Sequence, residues 1–406
     1  MAEILFLAHR IPWPADRGDK IRSYHILQYL SHLAPVHVGS FADDDRDMGF
    51  VPEMEPNFAS VYTEKRIKPQ WKAGLQALRS GSPVSLESFA SPGMRDWVKT
   101  TIAARPVSHI FVFSGQMAQY IPDDFDGRII MDFVDVDSAK FESYAGEGGA
   151  FMRWINKREG RLLSVFEKEI AARADASLFV SEAEAALFRQ RSGLGADRVM
   201  PLGNGIDTIS YDPLTDIKPV KGLPKGKRIM FTGQMDYRPN VEAVDDFARN
   251  AMPAILQHHK DAKFVIVGRN PTEAVKALAK LPGVVVTGAV DDVRGWLMAA
   301  DVVVAPLRIA RGIQNKVLEA MAMAKPVVAS TAAAEGIEAQ DGVHFHIAAN
   351  VEQEISKVCA LLDDVEVAKR LGISARLHVT DHYGWDGQLA PLRALMNIHP
   401  LAEAAE

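Results

Sequence analysis

The chain has 406 residues, 48% hydrophobic and 24% charged, enough for two or three globular domains with sizeable cores. Its formal net charge of -6 argues against a general nucleic-acid binder, and its single cysteine, Cys359, excludes an intrachain disulfide and a cysteine-based zinc site. The start lacks a positive n-region, the apolar run from Ile4 to Ala8 is too short for a signal peptide, and no window approaches the ~18–20 apolar residues of a spanning helix. The expected compartment is the cytoplasm.

The first predicted element is a buried strand, Ile4 to Ala8, followed by a turn region through Gly18 and a helix from about Lys20 to Leu33. Strand Val36 to Gly39 completes a βαβ unit, which implies a parallel sheet. The acidic run Asp43-Asp44-Asp45 reads as a solvated loop rather than a metal site. Further strands are expected at Ile110 to Phe113, Ile129 to Met131 and Ala176 to Val180. A long helix is expected over roughly 151–173, and another after Ser181, an N-cap with Glu184 in capping-box position.

The Pro-, Gly- and Lys-rich stretch from Tyr211 to Lys227 reads as an interdomain linker. After it the alternation restarts. Strands are expected at 228–232, 264–267, 284–287, 302–305 and 326–329, with helices around 240–257, 271–280, 291–299 and 313–323. The tail from Val351 is helical, with Trp385 opening a last helix after a Gly384 break. This gives an α/β chain with two Rossmann-like, doubly wound domains expected to face each other across a cleft, ligands lying beyond the carboxyl ends of the strands.

The segment from Arg311 through Gly312, Ile313, Gln314, Asn315 and Lys316 to Glu319 follows a strand and opens a helix. Gly312 admits close backbone approach, and a helix N-terminus offers free N–H groups to an anion such as a diphosphate. Lys316 and Glu319, three apart, share a helix face, so a cation for phosphate and a carboxylate for ribose hydroxyls stand together. The plainer alternative is a surface ion pair.

This segment resembles the donor-binding signature of family-4-type retaining glycosyltransferases: Glu, seven residues, Glu, then Ala-Met-Ala and Gly-x-Pro-Val-Val. Glu319 stands as the second acid, followed by Ala320-Met321-Ala322 and Lys325-Pro326-Val327-Val328. The resemblance implies the GT-B fold and a ribose contact for Glu319. The first Glu, which contacts the donor sugar in the family, is replaced by Arg311. Leu202 to Asp207 resembles the family's Asn-Gly-Val-Asp. The first loop of the second domain, after Thr232-Gly233, has Gln234 and Pro239 where the family has the Arg and Lys that hold the diphosphate, leaving Arg238 as the nearest cation. Gly268 and Gly288 match the next two strand ends, and Glu335-Gly336 resembles the loop that closes on the donor.

In the first half, the stretch Asp16 to His25, with Gly18, Asp19, Arg22 and His25, sits where the family carries its acceptor-side loop. The run Asp132 to Ser138 ends a strand and offers Asp132 and Asp135 where the family often has a His near the transferred sugar. Over nearly all of residues 4–390 the chain is similar to the sugar transferases linked to exosortase (PEP-CTERM) and exopolysaccharide gene systems, in which Arg also stands at the first Glu.

The resemblance implies a retaining, metal-independent transferase with no cofactor, using a UDP- or GDP-sugar as donor and a glycan or lipid-linked acceptor in exopolysaccharide or cell-surface glycan synthesis. Lys316, Arg311 and Arg238 would stabilise the leaving diphosphate, and Arg311 could favour a uronic acid donor. Residues 1–212 form the acceptor-side domain, 213–376 the donor domain, and 377–406 a helix packing back on the first. The basic segment Lys65 to Lys72, with Trp71, can touch an anionic membrane, placing the enzyme at the inner face of the cell membrane; a solvated basic loop is the alternative. A non-catalytic nucleotide-sugar-binding protein and a sugar-nucleotide epimerase are the competing readings.

Overall fold

The computed structural model describes residues 2–15, 18–146, 149–310 and 313–398. Arg311 and Gly312, and Asp16 and Arg17 of the acceptor-side stretch, therefore lie outside the described residues. The chain divides into two compact units, one formed by residues 1–204 and 388–406 and the other by 205–387.

The first unit is built on strands β1 (Glu3–Ala8), β2 (Val36–Ala42), β3 (Ser60–Lys65), β4 (Val107–Phe113), β5 (Arg128–Val134), β6 (Ala176–Phe179) and β7 (Val199–Pro201). They form one sheet in the order β3-β2-β1-β4-β5-β6-β7, and every pairing is parallel. Residues 4–8 are all 0% exposed, as expected for a central parallel strand covered on both faces. The helices include α1 (Gly18–Ser31), α2 (Gln70–Ser80), α3 (Pro92–Ala104), α4 (Asp137–Tyr144), α5 (Ala150–Arg173) and α6 (Glu182–Ser192). The Ser181 side chain caps α6 by accepting from the Glu184 amide.

In the second unit, β8 (Arg228–Thr232) leads to α7 (Arg238–Asp246), which passes through a π turn at Phe247–Ala251 into α8 (Met252–His258). Next come β9 (Lys263–Val267), α9 (Glu273–Ala277), β10 (Val284–Gly288), α10 (Val293–Ala299), β11 (Val302–Ala305), α11 (Asn315–Ala322), β12 (Val327–Ser330) and β13 (His346–Ala348). Helices α12 (Val351–Asp363) and α13 (Val365–Tyr383) follow. The sheet order is β10-β9-β8-β11-β12-β13, again all parallel. In both units the chain reverses its direction of travel across the sheet, at β1/β4 and at β8/β11. Those are the topological switch points where open α/β sheets leave a crevice.

Four expectations are corrected. The chain leaves the first unit after Asn204, not within the stretch 211–227. Tyr211 packs against the second unit's core and Ile217 is 9% exposed, so that stretch belongs to a folded body despite its Pro and Gly content. The acidic run is not simply solvated: Asp43 pairs with Arg10 and Arg66, Asp45 pairs with Lys65, and Asp44 caps a short helix at Asp47. The basic segment Lys65 to Lys72 is a loop only over residues 66–69, between the end of β3 and the start of α2. Its Lys68 donates to the Glu87 and Ala90 carbonyls. Of the tail expected over 377–406 to pack back on the first unit, residues 377–387 stay with the second; the last helix, α14 (Pro391–Met396), belongs to the first, where the Arg128 guanidinium donates to the Leu395 carbonyl.

Helix α13 packs on α11 through Gly372, where an added Cβ would stand 2.1 Å from the Ala324 carbonyl oxygen. Overpacking of this kind costs about 1–3 kcal/mol. We predict that Gly372→Ala destabilises the second unit by about 2 kcal/mol or more in urea unfolding. A loss below about 0.5 kcal/mol would show that the helix can move aside.

Candidate functional site

The β8/β11 switch point begins at Phe231 and Thr232, which end β8 inside the core. The chain turns at Gly233 and enters α7, whose Asn240 side chain, 5% exposed, folds back to donate to the Gln234 carbonyl at 2.9 Å. The same Asn240 offers its Oδ1 to the Lys316 ammonium at 2.5 Å, from the first turn of α11. The Lys316 Nζ also lies 4.5 Å from the centroid of the Phe231 ring. A carboxamide oxygen and an aromatic face thus replace part of the ammonium's water. Burial pulls Lys316 down to about 8, against the opposing pull of Glu319.

Glu319, one turn further along α11, is driven the other way. Burial raises its carboxyl to about 7, while Lys316 and a hydrogen bond from Tyr211 hold it down. Burial and the Glu319 charge in turn raise the Tyr211 phenol. The plain alternative of a surface ion pair therefore fails. Among the described residues Lys316 and Glu319 make no salt bridge; each is held by a partner from outside its own helix. The result is a partly dehydrated cation and a polarised acid on one face of a helix, near its N-terminus. That arrangement suits an anion with hydroxyl groups attached.

The loops around this pair are held by backbone contact. A Cβ at Gly268, just after β9, would fall 1.7 Å from the Gly233 carbonyl oxygen. Gly233 and Gly268 thus lock the first two loops together, and the Met235 amide donates to the Arg269 carbonyl at 2.9 Å. Ile313 and Gln314 precede α11, and Asn315 opens it, exposed. Gly336, at φ +82°, brings the Glu335 loop beside Ile313, with the space its Cβ would occupy 3.7 Å from that side chain. Glu335 itself is exposed. Arg238 begins α7, but its side chain is 86% exposed and pairs with Glu242 at 2.7 Å. Arg269 and Asn240 were not anticipated. Arg269 follows Gly268 and reaches Gln234 Oε1 at 3.4 Å, putting a second cation on the same loop pair. A cation directly after a strand-ending glycine was the available cue.

In the first unit, Arg22 of α1 is 1% exposed and runs into the sheet, where Nε donates to Asp132 Oδ2 at 2.9 Å. Its Nη1 donates to the Gly203 carbonyl and to Asn204 Oδ1. Asp132 is 0% exposed, and its second oxygen accepts from the Val134 amide at 3.0 Å. The expectation that Asp132 touches a substrate is therefore corrected: both its oxygens are engaged inside the fold, and it positions Arg22. Burial raises the Asp132 carboxyl, against the pull of Arg22. Asp135 is a third exposed and pairs with Lys140 at 2.7 Å. His25 packs edge-on to Tyr24, and Gly18 and Asp19 open α1. His9, at the end of β1, lies over Phe113 with ring centroids 5.8 Å apart, a strand-end residue that the sequence reading passed over. Among the described residues no group of three or more His, Cys, Asp or Glu could hold a metal, and no helix is long and apolar enough to cross a membrane.

Residues 226–364 match the family model described as glycosyl transferases group 1, a stretch that carries Lys316, Glu319, Gly233 and Gly268. No curated protein matches the sequence. Solved structures share the fold over nearly the whole chain. HepE from Anabaena, in complex with UDP and glucose, aligns with TM-score 0.63 and 15% identity, covering 98% of this chain and 100% of that one. Sucrose-phosphate synthase from Thermosynechococcus elongatus aligns with TM-score 0.62 and 16% identity over 98% of both chains. A glycosyltransferase from Rickettsia africae aligns with TM-score 0.62 and 14% identity, covering 98% of each. The fold is GT-B: two parallel-sheet, Rossmann-like domains.

Two predictions follow from the burial. A carboxyl raised to about 7 binds its proton more tightly in the folded state, so its contribution falls as pH rises from the unfolded value of 4.5 through 7. Glu319→Gln should therefore gain on the wild type by about 1–3 kcal/mol between pH 5 and pH 8, read from paired urea titrations. A pH-independent difference would place Glu319 in water. Asp132→Ala strands a buried guanidinium and should cost about 3–5 kcal/mol, read as a lowered urea midpoint of the first unit.

Proposed function

We propose that this protein is a retaining glycosyltransferase that moves a sugar from a UDP- or GDP-sugar to a glycan or lipid-linked acceptor, without a metal or cofactor. The observation that carries the reading is Lys316, an ammonium drawn out of water at the β8/β11 switch point and facing the same side of α11 as Glu319. The match of residues 226–364 to a glycosyltransferase model, and UDP-glucose in the HepE complex, support the same ligand class.

In this reading the diphosphate docks on the amino end of α11. Lys316 stabilises the charge that develops there as the glycosidic bond to phosphate lengthens, with Arg269, Arg238 and Arg311 as further cations. Because the ammonium is already desolvated and fixed, little reorganisation accompanies bond breaking. Glu319 accepts from ribose hydroxyls. The leaving phosphate takes the acceptor's proton, so the step needs no dedicated base. Asp135 is the candidate contact to the transferred sugar or acceptor, in the unit that takes the acceptor. Gln314, Asn315, Ile313, Glu335 and Gly336 are assigned to the donor end in this reading, and Gly312 by its place in the motif alone. A role in exopolysaccharide or cell-surface glycan synthesis, in the exosortase-associated subgroup, completes the proposal, with the enzyme in the cytoplasm at the inner membrane face.

A thermal-shift screen of UDP-, GDP-, ADP- and dTDP-sugars tests it. A cognate donor at about 100 times its Kd should add about 2.7 kcal/mol to the second unit, a rise of a few degrees in Tm. Lys316→Ala and Glu319→Ala should each lower donor affinity at least about tenfold, the loss of one charge-assisted contact. If no sugar nucleotide shifts the wild type, the reading fails. Binding without turnover on any acceptor would instead favour a nucleotide-sugar-binding protein, and conversion of the donor alone an epimerase.

A further inference from the structure

A surface on the first unit, outside both strand-end regions, remains without a covering. On α2, Trp71, Leu75 and Leu78 recur at i, i+4 and i+7 and form one stripe, yet they are 67%, 50% and 58% exposed. Ala73 and Ala77, on the buried side, are 0% exposed, so this helix keeps its small residues inside and its large ones outside. Ile67, just before it, is 80% exposed. At the start of α5, Phe151, Met152 and Trp154 are also exposed, with the Phe151 and Trp154 rings stacked at 6.4 Å. Arg158 ties the two helices together by donating to the Ala77 carbonyl at 2.7 Å and the Ser82 carbonyl at 3.1 Å. Single exposed apolar residues are ordinary, but a group of this size with two tryptophans marks an interaction surface.

Charge identifies the partner. Residues 66–82 contain no acid, and the one acid in 150–166, Glu159, is 2% exposed and accepts from the Val84 and Ser85 amides. The exposed charges of these two stretches are therefore all positive, among them Lys72, Arg79, Arg153, Lys157 and Arg161. Beside Trp154 a hollow of about 830 Å³ is lined by Lys157, Arg158, Arg161 and Ser164, with Glu142 also on its wall, paired with Arg191. Indole rings at headgroup depth and cations around an apolar stripe are the chemistry of a helix lying in an anionic lipid surface.

We infer that the face formed by α2 and the start of α5 docks on an anionic phospholipid bilayer, with the hollow beside Trp154 receiving a lipid phosphate. This stands independently of the transfer reaction. Cosedimentation with vesicles of phosphatidylcholine, alone or with about one-third phosphatidylglycerol, tests it. The full chain should bind the anionic vesicles at least about tenfold better, and about 0.5 M salt should weaken that binding. Trp71→Ser with Trp154→Ser, and separately Lys72→Glu with Arg161→Glu, should each lower it at least about tenfold while leaving the thermal midpoint unchanged. Equal partition onto neutral and anionic vesicles, or variants that bind like the wild type, would overturn the proposal. So would a dimer in sedimentation velocity that the same variants dissociate, since a second copy would then be the covering.

Discussion

An ammonium group taken partly out of water has to be held by its surroundings, and much of the second unit's switch point is arranged around that requirement. Lys316 rests on the Phe231 ring and on Asn240, and Asn240 is fixed in turn by the Gln234 carbonyl. The aromatic face comes from the end of β8, the amide from α7 and the lysine from α11, so three separate stretches of chain converge on one cation. None of these contacts neutralises it. The charge that burial leaves poorly compensated is what a bound anion would complete, and Glu319, held up by the same burial, adds an acceptor one turn away.

The first unit meets its buried charge in a different way. Arg22 is matched at Nε by Asp132 and at Nη1 by two groups just after β7, while its buried Nη2 has no hydrogen-bond partner among the described residues. A charge pair so enclosed holds geometry, because separating its members would strand a charge inside the fold. It fixes the position of α1 relative to β5, and so the positions from which Gly18, His25 and Asp135 are presented. The two units share a topology but match their buried cations differently, Arg22 with a carboxylate and Lys316 with an amide oxygen and a ring.

Strand runs such as 4–8, 228–232 and 302–305 were legible because a covered parallel strand is apolar throughout, and the strand–turn–helix order gave the class of fold. Strands β3, β7 and β13 escaped: Ser60–Lys65 carries polar residues at the sheet's edge, and Val199–Pro201 and His346–Ala348 span only three residues each. The Tyr211–Lys227 stretch misled because composition does not reveal that Tyr211 reaches Glu319. Lys316 and Glu319 could be read because helical spacing is local. Asn240 could not, being 76 residues away from Lys316. Asp132 and Asp135 looked equivalent in sequence; they part because β5 ends at Val134, whose φ of +69° turns the chain, leaving Asp132 inside with Arg22 and Asp135 outside with Lys140.

The meeting of Gly233 and Gly268 has an evolutionary consequence. A Cβ at Gly268 would strike the Gly233 carbonyl, and one at Gly233 would crowd the Asn240 amide and the Lys316 ammonium, so both positions resist any side chain and the rim of the switch point behaves as a fixed frame. Diversity in what the rim recognises must then accumulate at the positions alongside, Gln234 and Arg269, whose side chains are free to be exchanged without prising the loops apart. Substituting those two letters would change the chemistry of the rim and leave the glycine contact untouched.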